Sequence, residues 1–211
     1  MKSIAIIGGT GGLGLGLAAR LAGSHQVTIG SRDPSRAAKA ASKASELSGA
    51  KVLGETNALA ARGSDVCILT IPNLPSDEML VSLKPDLAGK LVISPIVPME
   101  VRDGFFRQSL ESGSAAERVA SVLGTRVAGA FYTVSAVRLL RVHRVLDWDV
   151  PVTAETKEVY AETAEIVSSV PGLRPLYAGP LSNSRMLEGI TPLLLNIGRL
   201  NGIKSPSIKV V

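Results

Sequence analysis

Aromatic residues make up only 3% of this 211-residue chain: three Phe, three Tyr and a single Trp. With apolar residues at 45%, the core must be built from Leu, Ile, Val and Ala, the composition of covered parallel strands and their helices. The same scarcity argues against a nucleic-acid surface. Arg138, Arg141 and Arg144 cluster around His143, but Phe131 and Tyr132 are the only aromatics between Phe106 and Trp148, which leaves few platforms for stacking bases. One cysteine, Cys67, excludes an internal disulfide framework and a cysteine-based metal cluster. It falls in an apolar run and reads as a small buried hydrophobe rather than a nucleophile. His25 and His143 offer no metal-ligand spacing, so no metal is expected. No run nears the roughly 20 apolar residues that cross a bilayer, and the opening apolar stretch is too short and too broken by glycine for a secretion signal. These absences lead to the expectation of a cytoplasmic, metal-free protein with no membrane contact. The formal charge of +5 then points to small anionic partners.

What the chain has in quantity is glycine, and it is concentrated first in Gly8-Gly9-Thr10-Gly11-Gly12-Leu13-Gly14. This run follows the apolar stretch 4–7 and precedes the helical pattern 15–21. Gly9-x-Gly11-x-x-Gly14 has the spacing of a dinucleotide-binding turn. The first glycine permits the tight strand-to-helix turn, the second lets a pyrophosphate approach the backbone, and the third lets the helix pack closely on the strand. The free N–H groups and the positive end of the helix dipole would then face the anion.

The end of the next strand, 26–29, says which dinucleotide. An acidic residue about twenty positions past the glycines would accept hydrogen bonds from a ribose diol and repel a 2′-phosphate. Here positions 30–32 are Gly30, Ser31 and Arg32, and Arg36 follows. A hydroxyl and two guanidinium groups suit the extra phosphate of NADP. The competing reading is a solvated basic turn ahead of a helix capped by Asp33 or Ser35.

Further along, apolar runs at 3–7, 26–29, 51–53, 65–71, 90–94 and 126–131 read as strands, and 14–21, 34–47, 57–61, 76–87 and 115–123 as helices between them. That alternation calls for an α/β, doubly wound parallel sheet of the Rossmann type. Past 133 the rhythm changes: a helix at 155–170, a short strand at 173–178 and a long helix at 180–202. The long helix carries an apolar face of Leu187, Ile190, Leu194 and Ile197, with Pro192 expected to kink it. The chain is therefore divided into 1–133, an NADP-binding domain, and 134–211, a smaller α/β part. Two strand ends carry functional weight, because ligands in such sheets bind at carboxyl ends of strands. Thr70-Ile71-Pro72-Asn73 and Ser94-Pro95-Ile96-Val97-Pro98 hold extended backbone that either lines a nicotinamide slot or simply makes turns. Phe105-Phe106 reads as a lid, a dimer contact or a local anchor.

A carbonyl or imine reductase generally places an acid to supply the proton. The Tyr-x-x-x-Lys pair is absent: four residues after Tyr132, Tyr160 and Tyr177 stand Ala136, Ala164 and Leu181. This fits direct hydride exchange between two bound redox cofactors, in which the protein supplies orientation and electrostatics. A small-molecule NADPH-dependent reductase and a non-catalytic NADP-sensing module remain the alternatives.

The blocks IAIIGGTGGLGLGLA at 4–18, GSRD at 30–33, LTIP at 69–72, SPIVP at 94–98, SAAE at 114–117, DWDVPV at 147–152 and GLRPLYAGPLSNSRMLEGITPLLLNIGRLNG at 172–202 resemble the F420-dependent NADP reductases over essentially the full chain. The resemblance implies reversible hydride transfer between C5 of the deazaflavin coenzyme F420 and C4 of the NADP nicotinamide, by a homodimer. It assigns the NADP phosphates to Thr10, Gly11, Gly12, Leu13, Ser31, Arg32 and Arg36, and the nicotinamide end to Val97 and Ala136. It draws the F420 site from the second part of the chain, through Arg185, Thr191 and Pro206, with Tyr132 bordering the deazaflavin. From the residues alone, Arg185 reads equally as an anion partner or as an intrahelical pair with Glu188.

Overall fold

Past Ser3, every residue of the first strand, β1 (Ser3–Ile7), is fully buried. Successive side chains leave a strand on opposite faces, and both faces of this one are covered. Ile4 and Ile6 join one hydrophobic core, while Ala5 and Ile7 join the other. Phe131 is the only aromatic among the largest fully buried side chains, as the composition requires.

The computed structural model describes residues 1–211. β1 leads into α1 (Gly12–Leu21), β2 (Gln26–Ser31), α2 (Pro34–Ser48), β3 (Val52–Thr56), α3 (Asn57–Arg62), β4 (Val66–Leu69), α4 (Asp77–Leu87) and β5 (Leu91–Ser94). A hairpin of β6 (Met99–Arg102) and β7 (Phe105–Gln108) follows, then α5 (Ala115–Leu123) and β8 (Arg126–Gly129). The chain ends with α6 (Ala136–Leu139), β9 (Trp148–Ala154), α7 (Lys157–Ser168), β10 (Leu173–Tyr177) and α8 (Ser184–Asn201). Eight strands form one sheet in the order β10-β9-β8-β5-β4-β1-β2-β3. All neighbours from β3 to β8 pair in parallel. The order reverses between β1 and β4, which opens a crevice at their carboxyl ends.

The expected alternation is present, with β4 shorter than 65–71, so Thr70 and Ile71 lie beyond its end. Two features differ from expectation. β9 occupies a stretch where the sequence reading placed no strand; it runs antiparallel to β8 and parallel to β10, so the late strands continue the same sheet. Pro151 obscures it, yet the ladder to β8 involves only Thr153 and Ala154, so the missing proline N–H breaks no bond there. Phe105 and Phe106 belong to β7. The β6–β7 hairpin closes through Asp103 and Gly104, whose φ angles of 53° and 77° suit a two-residue turn with both central residues left-handed.

The long helix also differs. α8 continues through Pro192 and turns Ser184, Glu188, Pro192 and Gly198 inward. Leu187, Ile190 and Leu194 are only half-buried, and Ile197 is exposed. The inward face is selected by small and polar groups that meet specific partners.

Candidate functional site

The glycine turn sits at the crevice between β1 and β4. Gly9 N donates to Ile6 O at 3.2 Å and Gly30 O at 3.0 Å, and Gly8 N donates to Asn57 Oδ1 at 3.1 Å. A Cβ on Gly14 would lie 2.5 Å from Gly9 Cα and 2.7 Å from Thr70 Oγ1, so only glycine lets α1 approach the turn this closely. A Cβ on Gly11 would meet nothing within 4 Å, so the backbone is open on that side. α2, α3, α4, α5 and α7 each begin with a side-chain cap, from Asp33, Thr56, Ser76, Ser114 and Thr156. α1 has none, and no acid in its first turn. Its leading N–H groups are left for an anion.

A cavity of about 750 Å³ opens over this turn. At one end Ser31, Arg32 and Arg36 form its wall. Asp33 lines the same end, but its carboxylate is turned to its own helix, accepting from Ser35 N at 2.8 Å and Arg36 N at 3.4 Å. The cap expected of a plain basic turn is thus real, and it removes the one carboxylate that would oppose a phosphate. None of the eight ion pairs involves Arg32 or Arg36. The residues therefore fit a phosphorylated dinucleotide.

The other end is apolar. Ile71 and Pro72 beyond β4, and Pro95, Ile96 and Val97 beyond β5, line it together with Tyr132 and Thr191. Tyr132 follows Phe131, which is held at φ 64°. Two hydroxyls fix the next carbonyls: Thr191 Oγ1 donates to Tyr132 O at 2.8 Å, and Ser207 Oγ to Thr133 O at 3.1 Å. The Tyr132 hydroxyl points into the protein, where a Cβ on Gly129 would collide with it, with Thr153 Oγ1 and with Ser184 Oγ. Burial pushes this phenol well above its ordinary range. It is a packed side chain rather than a proton donor to the cavity. The lining holds no other acid besides the capping Asp33.

Of the residues singled out in the sequence, Thr10, Gly11, Gly12, Leu13, Gly14, Ser31, Arg32, Arg36, Ile71, Pro72, Val97 and Thr191 line this one cavity. Gly9 lies beneath the turn. Ala136 stands at its rim, its Cβ 3.4 Å from where a Cβ on Gly12 would be. Arg185 and Pro206 are elsewhere. Arg185 Nη2 donates to Glu111 O at 2.9 Å, and the pair with Glu188 does not form because the Glu188 carboxylate accepts from Ala115 N at 3.0 Å and Ala116 N at 3.2 Å. Pro206 packs on Gly198. Phe106 is an anchor: its N–H and carbonyl both bond the Asn196 amide, at 2.9 and 2.8 Å, while Arg199 stacks over Phe105 at 5.3 Å. The sequence reading missed Asn57, Pro75, Met79 and Met99 on the cavity wall. Only Asn57 left a signal, as the polar first residue of a helix already capped by Thr56.

A model of the family described as NADP oxidoreductase, coenzyme F420-dependent, matches residues 3–98. The F420-dependent NADP reductase of Methanothermobacter thermautotrophicus is 40% identical over 100% of this chain and 95% of its own length. That of Methanocaldococcus jannaschii is 35% identical over 98% of this chain and 97% of its own. The chain belongs to the F420-dependent NADP reductase family. A solved structure from Arthrobacter sp. FB24, provisionally named as an F420-dependent NADP reductase, shares the fold with a TM-score of 0.84 over 100% of both chains at 22% identity. Family membership makes the protein an oxidoreductase of the α/β class. No helix is long and apolar enough to cross a membrane.

Proposed function

We propose that the protein moves a hydride reversibly between the deazaflavin C5 of coenzyme F420 and the nicotinamide C4 of NADP. The single observation that carries this reading is a cavity with an uncapped helix terminus, the Ser31 hydroxyl and the unpaired Arg32 and Arg36 guanidinium groups at one end, an apolar floor at the other, and no acid aimed inside. When bound, the two cofactors supply the donor and acceptor carbons themselves. The chain's residues bind, orient and exclude water. The α1 N–H groups and Gly11 hold the pyrophosphate, Ser31, Arg32 and Arg36 take the 2′-phosphate, and Ile71, Pro72 and Val97 keep the reacting face dry. Residues 1–133 serve NADP, while 134–211 contribute Ala136 beside the nicotinamide end and Thr191 on the F420 side; Arg185 and Pro206 lie outside the cavity and take no part in this reading.

The proposal includes a cytoplasmic homodimer. Its support is an unpartnered face of α8: Met186, Leu193, Ile197 and Leu200, spaced at helical intervals, are 65%, 56%, 37% and 65% exposed. Sedimentation should give twice the monomer mass, and a Leu193→Glu change should lower it.

Mixing the protein with NADPH and oxidised F420 should bleach the deazaflavin absorbance, with NADH far less effective. Unchanged absorbance from protein shown to bind NADPH would refute the reading. NADPH loss with a small carbonyl or imine but not with F420 would point to a conventional reductase instead.

A further inference from the structure

The cationic stretch 138–144 contributes nothing to the cavity lining, yet it is built with care. Beneath it lies Arg20, buried on α1 and in none of the eight ion pairs. Its guanidinium donates only to backbone: Nε to Leu139 O at 2.8 Å, and Nη2 to the carbonyls of Arg138 at 3.1 Å, Arg141 at 2.8 Å and Arg144 at 2.9 Å. With these carbonyls drawn inward, the side chains of Arg141, His143 and Arg144 stand exposed and Arg138 is half-buried. None of the four has a carboxylate partner, and the nearest acid in sequence, Asp147, is taken by Lys209. Several unpaired cations on a backbone fixed from below form a preorganised surface for a flexible chain that carries several negative charges.

The surface begins at the cavity. Ala136 faces Gly12, Leu139 packs on Gly16, and Arg20 follows four residues later, so α6 and the arginines run down the flank of α1. Gly12 to Arg20 spans about 12 Å at the helical rise. Three or four extended residues cover that length. A ligand whose reactive ring lies past Ala136 and whose tail leaves along α6 meets Arg138 first and Arg141 and Arg144 next.

We infer that this arginine platform holds the anionic tail of coenzyme F420, the phosphodiester and glutamates beyond its deazaflavin. The inference rests on the proposed function. Guanidinium forks match phosphate and carboxylate geometry. A nucleic acid fits less well, since the exposed neighbours Val137 and Val145 give bases nothing to stack on.

The test compares two acceptors with NADPH as donor: F420 bearing several glutamates, and the deazaflavin core with its ribityl chain but no phosphate or glutamates. An Arg141→Ser/Arg144→Ser variant keeps both backbone carbonyls for Arg20. Its KM for tailed F420 should rise about five- to tenfold at low salt, while its KM for the bare core and for NADPH stay put. The wild-type KM for tailed F420 should climb with ionic strength until the two proteins converge. An unchanged KM for tailed F420, or equal rises for both acceptors, overturns the platform but leaves the proposed function standing. Wild-type protein that reduces neither deazaflavin refutes the proposed function itself. Nucleic-acid binding that the variant loses, with tail-independent KM, also overturns the inference.

Discussion

Replacing Arg20 by Met should cost about 3 kcal/mol, and the figure can be worked from the bonds it makes. Nη2 carries two N–H groups for three carbonyls, so with Nε about three full bonds exist at once. Bonds from a charged donor contribute about 1.5–3 kcal/mol each when one partner is removed. The carbonyls of Arg141 and Arg144 lie in an exposed segment and can turn to water, which puts them at or below the low end. Against the loss stands the desolvation of the guanidinium, which lowers its pKa and is relieved in the variant. Met fills most of the buried stem, so cavity formation adds little. At this chain length about 3 kcal/mol corresponds to roughly 6–12 °C in Tm. Urea and thermal unfolding would measure it. Arg20→Lys, which keeps the charge but cannot fork to separated acceptors, should fall between the two. A loss under about 1 kcal/mol for the Met variant, or a lysine variant as stable as the parent, would refute the claim that the guanidinium organises 138–144.

Arg32→Ala should weaken NADP by about tenfold or more, from about 1.5–3 kcal/mol per charged phosphate bond, and leave NAD nearly unchanged; titration with both nucleotides reads this directly. Gly14→Ala forces a Cβ to 2.5 Å from Gly9 Cα, so it should destabilise by about 1–3 kcal/mol and lower NADP affinity, seen as a drop in Tm that NADP no longer restores. Burial pushes Glu188 up to about 7 from 4.5, against the pull of the two α5 N–H groups. The folded state then holds more proton than the unfolded one between those values, so this carboxyl's contribution is full below about pH 4.5 and is lost as pH rises through about 7, with a ceiling of about 3 kcal/mol. Urea midpoints across that window should slope less in Glu188→Gln; parallel curves would contradict the assignment.

The nucleotide half of the fold was readable because its determinants are local. The glycine turn, the missing acid at 30–32 and the proline-stopped strand ends each act within a few residues, and each stands on the cavity wall. The β6–β7 hairpin was absent from the sequence reading, although Asp103-Gly104 between its two short strands is a strong turn signal. β9 could not be read so easily. Asp149 is fully buried and stable there only because Arg174 meets it with two bonds, at 2.7 and 2.8 Å, and Val210 N adds a third. Those partners lie 25 and 61 residues away. α8 misled for the same reason. Leucines at helical spacing suggested the buried stripe, but Glu188 reaches the first turn of α5 and Ser184 bonds Thr153 at 2.6 Å, which rotates the helix to bury its polar side. Periodicity reports apolar area and is blind to such long-range polar pairings.

The two ends of the cavity are specified by different physical devices. The phosphate end is self-contained: one turn, one uncapped helix and one short basic segment, all within residues 8–36 and all inside the family match to 3–98. The far wall is not. Phe131, a bulky buried residue at φ 64°, stores roughly 1–2 kcal/mol of backbone strain. What holds the turn comes from far along the chain: Thr191 on the Tyr132 carbonyl and Ser207 on the Thr133 carbonyl. Glu188 ties α8 to α5, and the Asp149–Arg174–Val210 bonds tie down the tail that carries Ser207. The second half therefore acts on the cavity mainly by shaping one strained turn. A change anywhere in that bracing, including at positions with no access to the cavity, should alter what the apolar end accepts before it alters how the phosphate end holds NADP.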